Sequence, residues 1–294
     1  MDIRFLQSLV AVVETGSIAA AARRENLTAA AVSQRIQTLE RILGCELLNR
    51  SAHAVLPSEQ CLALLPKVRT LIQLESELHD ELDARCLSGD LRIGAISTAL
   101  TGILPEVMEQ LAIDAPALRL RITPGDSRML YERVVQGDLD AAILVQPPFA
   151  LPKTIRQTLL RAEPLLLLSK IPVAATDIHM TLCRQPMICY DTQAWGGQSA
   201  LHYLKDHALS PEVLCELDAL EAISILVAKG IGVSLVPEWA GLSVDAVHAT
   251  LVSGSRDYMR RVVLLYPVNS RRPRAVSALE SLLTQMSRAP ASPS

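Results

Sequence analysis

Residues 17–44 read SIAAAARRENLTAAAVSQRIQTLERILG, and this stretch decides the fold of the amino-terminal part of the chain. Ser17 and Thr28 are suited to cap helices, because a side-chain hydroxyl can accept a hydrogen bond from a free backbone N–H. Residues 25–27 interrupt the helical pattern between them. We therefore predict two helices, at residues 18–25 and 29–43, joined by a tight turn. The alanines of the first helix allow the second to cross it at close range.

The second of these helices has one apolar face and one polar face. The apolar residues Val32, Ile36, Leu39 and Leu43 recur at helical spacing, which predicts a stripe directed into the protein. The opposite face carries small or polar side chains, namely Ala30, Ser33, Gln34, Gln37, Thr38 and Arg41. Such a face can enter the roughly 12 Å major groove of DNA, where amides and hydroxyls meet base edges. An ordinary solvated helix face is the alternative.

An ordered series of residues extends this pattern on both sides of the two helices. It comprises Phe5, Leu6, Val10, Val13, Gly16, Ser17, Ala21, Ala22, Leu27, Thr28, Val32, Ser33, Ile36, Leu39, Glu40, Leu43, Gly44, Leu47, Leu48 and Arg50. The series resembles the LysR-type bacterial transcription regulators. The resemblance implies a winged helix-turn-helix, with a supporting helix at residues 3–14, a reading helix at 29–43 and a wing at 50–57. It also implies DNA contacts by further residues outside the polar face, which are Ser17, Thr28, Ala29, Arg50 and His53.

Positive charge is scarce in this region. Residues 1–57 contain six arginines and five acidic residues, which leaves a net charge of plus one. Because each neutralised phosphate adds to binding, so few basic residues predict weak binding by a single copy. Two copies on a two-fold axis would place their reading helices about one turn of DNA apart, ~34 Å, or at a multiple of it.

Residues 58–84 are expected to provide the pairing element. Five apolar residues follow the alternating spacing of a narrow packing seam, namely Leu64, Val68, Leu71, Leu78 and Leu82. Pro66 is expected to kink or loosen this helix. A core helix of one larger domain is the alternative, whereas the family resemblance implies a linker and dimerisation helix. We expect a homodimer or a homotetramer, and the family favours a tetramer built from dimers.

Composition excludes several other classes of protein. The chain has 294 residues and is 50% hydrophobic, but no stretch approaches the twenty apolar residues of a membrane span, and its start lacks the pattern of an export signal. We expect a soluble, cytoplasmic protein with no membrane partner. The six cysteines and six histidines form no metal-binding spacing. No nucleophile, phosphate-loop or dinucleotide motif is present, so we expect no catalytic residue, no metal and no cofactor.

Strands and helices alternate from residue 88 onward, which predicts parallel sheets covered by helices in two lobes. The segments that match a known pattern are residues 91–94, 104–105, 125, 130, 137–143, 230–232 and 235–237. They resemble the effector domain of the same family, which is similar to a periplasmic binding protein. The predicted fold is therefore α+α/β: a winged helix-turn-helix at 1–58, a linker and dimerisation helix at 59–87, and an effector domain at 88–294. Its first lobe covers about 88–146 and 267–294, and its second lobe about 147–266.

Ligands of such domains gather where strand ends meet helix starts, because free N–H groups there attract polar and anionic groups. This rule selects eight candidate effector-binding residues: Ser97, Thr98, Thr101 and Asp126 in the first lobe, Gln146 at the hinge, and Thr192, Trp195 and Asp218 in the second lobe. Thr101 and Asp126 can equally be helix caps, and Trp195 can be a core residue. An amino acid or another small polar metabolite would suit both the hydroxyls and the carboxylates.

The sequence thus predicts a DNA-binding transcription regulator that is switched by a small effector. Its partners would be double-stranded DNA and the metabolite, with RNA polymerase as a further candidate. A solute-binding protein of the transport type is the alternative, because it uses the same two-lobed domain.

Overall fold

The computed structural model describes residues 2–50, 55–82 and 87–288. The chain divides into two compact units, Met1–Cys86 and Leu87–Ser294. None of the helices in the described ranges is both long and apolar enough to cross a lipid bilayer.

The first unit contains four helices and a short two-stranded sheet among its described residues. These elements are α1 (Ile3–Thr15), α2 (Ile18–Glu25), α3 (Ala29–Leu43), β1 (Leu48–Arg50), β2 (Val55–Pro57) and α4 (Glu59–Leu82). The strands β1 and β2 are antiparallel. One core unites α1, α2, α3 and the start of α4, and its centre includes Leu9, Ala21 and Ile36. The predicted helices are therefore present with nearly the expected bounds, and the described ends of the predicted wing pair as β1 and β2, whereas residues 51–54 lie outside the described residues.

Helix α4 continues through Pro66 without ending there. The predicted seam is wrong at Val68, which is 5% exposed and packs into the core of its own unit. By contrast, Leu71 and Leu74 are 42% and 50% exposed, so they form the part of α4 that is open to a partner. The side chains of Leu78 and Leu82 lie outside the described residues.

The second unit alternates strands and helices in chain order. Its strands are β3 (Gly89–Ala95), β4 (Leu118–Pro124), β5 (Ala141–Val145), β6 (Ile155–Glu163), β7 (Leu165–Ser169), β8 (Met187–Tyr190), β9 (Val213–Leu217), β10 (Ser234–Pro237), β11 (His248–Leu251) and β12 (Arg260–Pro267). Its α-helices are α5 (Ser97–Gly102), α6 (Leu104–Asp114), α7 (Ser127–Val135), α8 (Ile178–Arg184), α9 (Gln198–Asp206), α10 (Leu220–Ala228) and α11 (Pro273–Arg288). Two 3-10 turns lie at Ala175–Asp177 and Ser255–Tyr258.

The first lobe is built on a five-stranded sheet in the order β4-β3-β5-β12-β6. Strand β3 is parallel to β4 and β5, whereas β12 is antiparallel to β5 and β6. The second lobe has an antiparallel sheet, β10-β7-β11, and a parallel pair, β8-β9, with apolar clusters on both sides. The expectation of parallel sheets is confirmed for β3, β4 and β5 and for the pair β8-β9. It is wrong for β6 and β12, where the chain leaves the first lobe and returns to it, and for the sheet β10-β7-β11 of the second lobe.

The lobe boundaries also need correction. Residues 147–266 were assigned to the second lobe, but β6 and most of β12 fall in that range and belong to the sheet of the first lobe. The first lobe consequently runs to residue 163 and resumes at residue 260. The second lobe occupies residues 164–259.

Candidate functional site

The starts of α2 and α3 are each fixed by a hydroxyl cap, and the turn between these helices is fixed by one left-handed residue. The hydroxyl of Ser17 accepts a hydrogen bond from the backbone N–H of Ala20 at 3.4 Å, and that of Thr28 accepts one from Ala31 at 3.2 Å. Asn26 ends α2 with a φ of 56°, a conformation that Asn tolerates better than most residues. Helix α3 therefore starts in a fixed direction from α2.

A polar face of α3 is open to solvent, as the sequence predicts. Its exposed residues are Ala29, Ala30, Gln34, Gln37 and Arg41, next to half-buried Ser33 and Thr38. The hydroxyl of Thr38 donates to the backbone carbonyl of Gln34 at 2.8 Å, so it is partly engaged within the helix. Val32, Ile36 and Leu39 are fully buried on the other side. Leu43 was expected there too, but it is 38% exposed because it lies at the last turn of α3, beyond the core.

A polar network of one buried and two half-buried side chains supports the helix-turn-helix from behind. Ser8 on α1 is fully buried, and its hydroxyl donates to Glu25 Oε2 at 2.6 Å. The guanidinium of Arg35 on α3 donates to the same hydroxyl at 3.1 Å and lies 3.6 Å from Glu25. One carboxylate thus connects all three helices, and the sequence pattern gave no sign of it.

The wing begins at a position set by Glu40. Its Oε1 accepts hydrogen bonds from the backbone N–H groups of Leu47 and Leu48, at 2.9 and 3.3 Å, and so holds the start of β1 against α3. Of the predicted wing contacts, His53 and the side chain of Arg50 lie outside the described residues.

A cavity of about 510 Å³ lies between the two lobes of the second unit. Five of the eight predicted effector residues line it, namely Ser97, Thr98, Asp126, Trp195 and Asp218. The carboxylate of Asp126 also accepts from the N–H of Met129 at 2.9 Å, so it is a helix cap as well. The cavity is further lined by Ser127 and Asp191, which belong to the same strand-to-helix loops as the predicted Asp126 and Thr192, and by Arg128, Tyr190 and Arg260, which the sequence did not indicate.

Three predicted residues do not line this cavity. The hydroxyl of Thr101 donates to Glu221 at 3.1 Å and so links α5 to α10 across the two lobes. Both the N–H and the hydroxyl of Thr192 donate to Glu216, at 2.7 and 2.9 Å, which lowers the pKa of that carboxyl. Gln146 is half-buried, and its backbone N–H donates to the carbonyl of Arg261 at 2.8 Å.

A buried guanidinium forms part of the cavity wall. Arg260 is paired with Glu163 at 2.6 Å, and the two side chains are only 1% and 2% exposed. Its Nη2 also donates to the hydroxyl of Thr98 at 3.3 Å. Burial raises the pKa of the neighbouring Tyr190 hydroxyl, although the charge of Arg260 opposes this shift. At neutral pH the tyrosine is therefore a neutral donor beside a fixed cation.

Carboxylates from both lobes supply the opposite charge. Asp126 belongs to the first lobe, and Asp191 and Asp218 to the second. The pKa of Asp218 is raised, first by burial and then by the negative charges of Asp191 and Asp126. A bound cation would relieve this repulsion.

Three aromatic rings join the lobes beside the cavity. Tyr131 lies on α7 and Phe149 in the segment that follows β5, whereas Trp195 belongs to the second lobe. The ring centroids are 5.2 Å apart for Tyr131 and Phe149, 5.6 Å for Phe149 and Trp195, and 6.1 Å for Tyr131 and Trp195, all edge-to-face. Trp195 packs against the core of the first lobe, so it contacts both lobes and is not only a core residue of its own lobe. We call these three residues the aromatic bridge.

The described part of the chain has no group of three or more His, Cys, Asp or Glu side chains that could hold a metal ion.

An exposed reading helix and a hinged two-lobed cavity together define the class of ligand-responsive DNA-binding proteins. Residues 3–62 match the model of the bacterial regulatory helix-turn-helix proteins of the lysR family, and residues 84–288 match the LysR substrate binding domain. The chain belongs to the LysR family, and it is a DNA-binding transcriptional regulator. The helix-turn-helix match decides against the transport-type alternative.

Individual relatives cover most of the chain. The regulator CzcR of Bacillus cereus is 30% identical over 242 residues, which are 82% of this chain and 81% of CzcR. The regulator IlvY of Escherichia coli is 26% identical over 249 residues, covering 81% of this chain and 82% of IlvY. Among solved structures, OxyR of Corynebacterium glutamicum covers 97% of this chain and 91% of its own, with a TM-score of 0.68 and 19% identity. Full-length CbnR in complex with its target DNA covers 98% of this chain and 100% of its own, with a TM-score of 0.62 and 19% identity.

Proposed function

We propose that this regulator responds to a small zwitterion, such as an amino acid, that binds between the two lobes. The observation that supports this proposal is the opposite charge within one cavity, where Arg260 lies on one wall and Asp126, Asp191 and Asp218 come from both lobes. An ammonium group would meet the carboxylates, and a carboxylate would meet the guanidinium. The volume of about 510 Å³ is in the range of small-molecule sites. In this proposal the ligand is bound and released unchanged.

The charge balance favours a zwitterion over a simple anion. Arg260 is already neutralised by Glu163, and the three aspartates outnumber Arg128, the other arginine that lines the cavity, so they would repel a ligand that carries only negative charge. A ligand with an ammonium group offsets this repulsion. It would also bring the two lobes together, because the aspartates belong to different lobes.

A thermal-shift experiment with matched compounds tests the ligand class. The panel contains proteinogenic L-amino acids together with the amides that lack their carboxylates and the acids that lack their amino groups. A true ligand at a hundredfold excess over its Kd adds about 2.7 kcal/mol to the free energy of unfolding. We expect an amino acid to raise Tm more than its amide or its deaminated acid. Equal stabilisation by the deaminated acid, or no stabilisation by any amino acid, would contradict the proposal.

In the first unit, we propose that the polar face of α3 reads base edges in the major groove. The contacts are assigned to Ala29, Ala30, Ser33, Gln34, Gln37, Thr38 and Arg41, with Ser17, Thr28, Arg50 and His53 toward the backbone. The exposure of Gln34 and Gln37 supports this assignment. The test is a gel shift with the DNA upstream of the protein's own gene. An unrelated duplex at the same salt concentration is the control, and equal binding to both would exclude sequence-specific reading.

We propose that α4 pairs two copies through the exposed leucines Leu71 and Leu74, in a homodimer or a tetramer of dimers. Such pairing compensates for the small positive charge of each DNA-binding module. Light scattering at micromolar concentration measures the mass of the assembly, and a monomer would contradict the pairing. We also propose that the protein acts in the cytoplasm, with RNA polymerase as a further partner, because a transcriptional regulator acts where both DNA and the polymerase are present.

A further inference from the structure

The polypeptide passes between the two lobes of the second unit twice, and a buried ion pair joins the two crossing points. It leaves the first lobe after β6, which ends at Glu163, and returns at the start of β12, which begins at Arg260. The antiparallel register of these strands places Glu163 opposite Arg260. A change in this pair therefore acts on both connections of the hinge.

The contacts of this pair are short and shielded from water. Nε and Nη2 of Arg260 both lie 2.6 Å from Oε2 of Glu163. Arg161 lies 3.5 Å from Oε1 of the same carboxylate, but its side chain is 42% exposed. Because neither buried charge can be solvated alone, Glu163 and Arg260 act as one unit, whereas Arg161 is a peripheral member.

Arg260 also faces the ligand cavity. Its Nη2 donates to the hydroxyl of Thr98 at 3.3 Å, which is a long contact to a neutral acceptor. The guanidinium also hydrogen-bonds the hydroxyl of Tyr190, a second neutral partner. A carboxylate that enters the cavity is a stronger acceptor than a hydroxyl, since both partners then carry charge. Such a ligand would replace Thr98 and compete with Glu163 for the guanidinium.

We propose that Arg260 receives the carboxylate of the effector and that Glu163 converts this contact into lobe movement. When the guanidinium is shared with the ligand, its bonds to Glu163 weaken, and the two crossing strands are released to change their angle. This inference rests on the proposed function, because it requires an effector that carries a carboxylate. Glu163 is a positioning residue here, since it does not itself line the cavity.

The first test needs no ligand. Replacing Trp239 with Phe leaves Trp195 as the one tryptophan of the chain, and its quenching by acrylamide reports the opening of the cleft. In this background we expect E163Q to change the quenching of Trp195, because it weakens the hinge pair. The matched control R161Q removes a charge from the same strand and should leave the quenching unchanged. Equal quenching in E163Q and R161Q would overturn the inference, whether or not any amino acid binds.

The second test separates binding from response, and it uses the amino acid from the thermal-shift panel that gives the largest rise in Tm. E163Q removes the competitor for Arg260, so the amino acid should bind at least as tightly as before. The change in Trp195 fluorescence at saturation should nevertheless shrink. A merely structural role of Glu163 would reduce affinity and response together, and that result would refute the assignment. If no amino acid raises Tm, the proposed ligand class fails, and the test without ligand alone decides the role of the hinge pair.

A third variant addresses Arg260. Removing this residue alone would leave Glu163 buried without its partner, so we choose the double variant E163M/R260M, which replaces both charges by apolar side chains of similar length. We expect it to fold and to lose roughly tenfold or more in affinity for the amino acid, as for a lost hydrogen bond between charged groups. It should also lose the preference for the acid over its amide. Unchanged affinity and preference would overturn the role of Arg260.

Discussion

Replacing Phe149 with Ala should open the cleft, because Phe149 occupies the middle of the aromatic bridge. Its ring makes two edge-to-face contacts, with Tyr131 at 5.2 Å and with Trp195 at 5.6 Å. The pair with Tyr131 lies within the first lobe, whereas the pair with Trp195 joins the two lobes. Such a pair contributes about 0.5–1.5 kcal/mol beyond the area it buries, so the substitution removes about 0.5–1.5 kcal/mol of contact between the lobes. Since 1.4 kcal/mol corresponds to a factor of ten, the ratio of closed to open domains should fall roughly 2- to 12-fold.

The assay is acrylamide quenching of Trp195 in the background where Trp239 is Phe. We expect stronger quenching and a red-shifted emission in F149A, and an amino acid effector should bind more weakly because part of its binding energy must now close the cleft. Leu159→Ala is the matched control, since Leu159 lies on β6, is 51% exposed and is not part of the aromatic bridge. If F149A and L159A quench alike, the aromatic bridge does not hold the lobes together.

Three further changes have defined outcomes. Gln34→Glu should abolish the gel shift, because it places a negative charge against base edges and phosphates. The control Gln157→Glu changes an exposed residue of the other unit and should leave the gel shift intact. If Gln34→Glu does not alter the shift, Gln34 is not part of the DNA interface. Glu25→Gln should lower the free energy of unfolding by about 1–3 kcal/mol, because it weakens the hydrogen-bond acceptor of the polar network behind α3. Chemical denaturation measures this loss, and the control Glu46→Gln, at an exposed position, should leave the stability unchanged. The pKa of Asp218 is raised, so its carboxylate becomes protonated at a higher pH than an ordinary aspartate. The affinity for a ligand with an ammonium group should therefore fall as the pH decreases through that range. Calorimetric titrations measure this affinity, and the same pH dependence in Asp218→Asn would show that Asp218 does not bind the ammonium group.

The helix-turn-helix was predictable because its signals are local. The caps Ser17 and Thr28 and the stripe of Val32, Ile36 and Leu39 each act within a few residues, so their positions in the sequence fix their positions in the fold. The error at Leu43 has a simple cause, since helical spacing continues to the end of α3 but the core does not.

The lobe boundaries and the position of Arg260 in the cavity wall were not predictable in this way. Strand β6 is mostly exposed and lacks the apolar run that marks β5 or β7, so nothing local assigns it to the first sheet. Arg260 belongs to no sequence motif. It pairs with Glu163, which lies 97 residues earlier in the chain, only because β12 is hydrogen-bonded to β6. Such a residue is identified only by the register of the strands.

Strand β3 connects the cavity to the part of the chain that leads toward the DNA-binding unit. Its carboxyl end precedes Thr98, and its amino end follows the unit boundary at Leu87 by one residue. The strand is hydrogen-bonded to β4 and β5 on both sides, and the guanidinium of Arg272 donates to the backbone carbonyls of Ser88 and Asp90 at its start. Pairing with β5 covers Ile93, Gly94 and Ala95, so the end of β3 beside Thr98 is held on both sides within the first lobe. Because each DNA-binding module carries little positive charge, we expect its affinity for DNA to depend on the simultaneous fit of two copies.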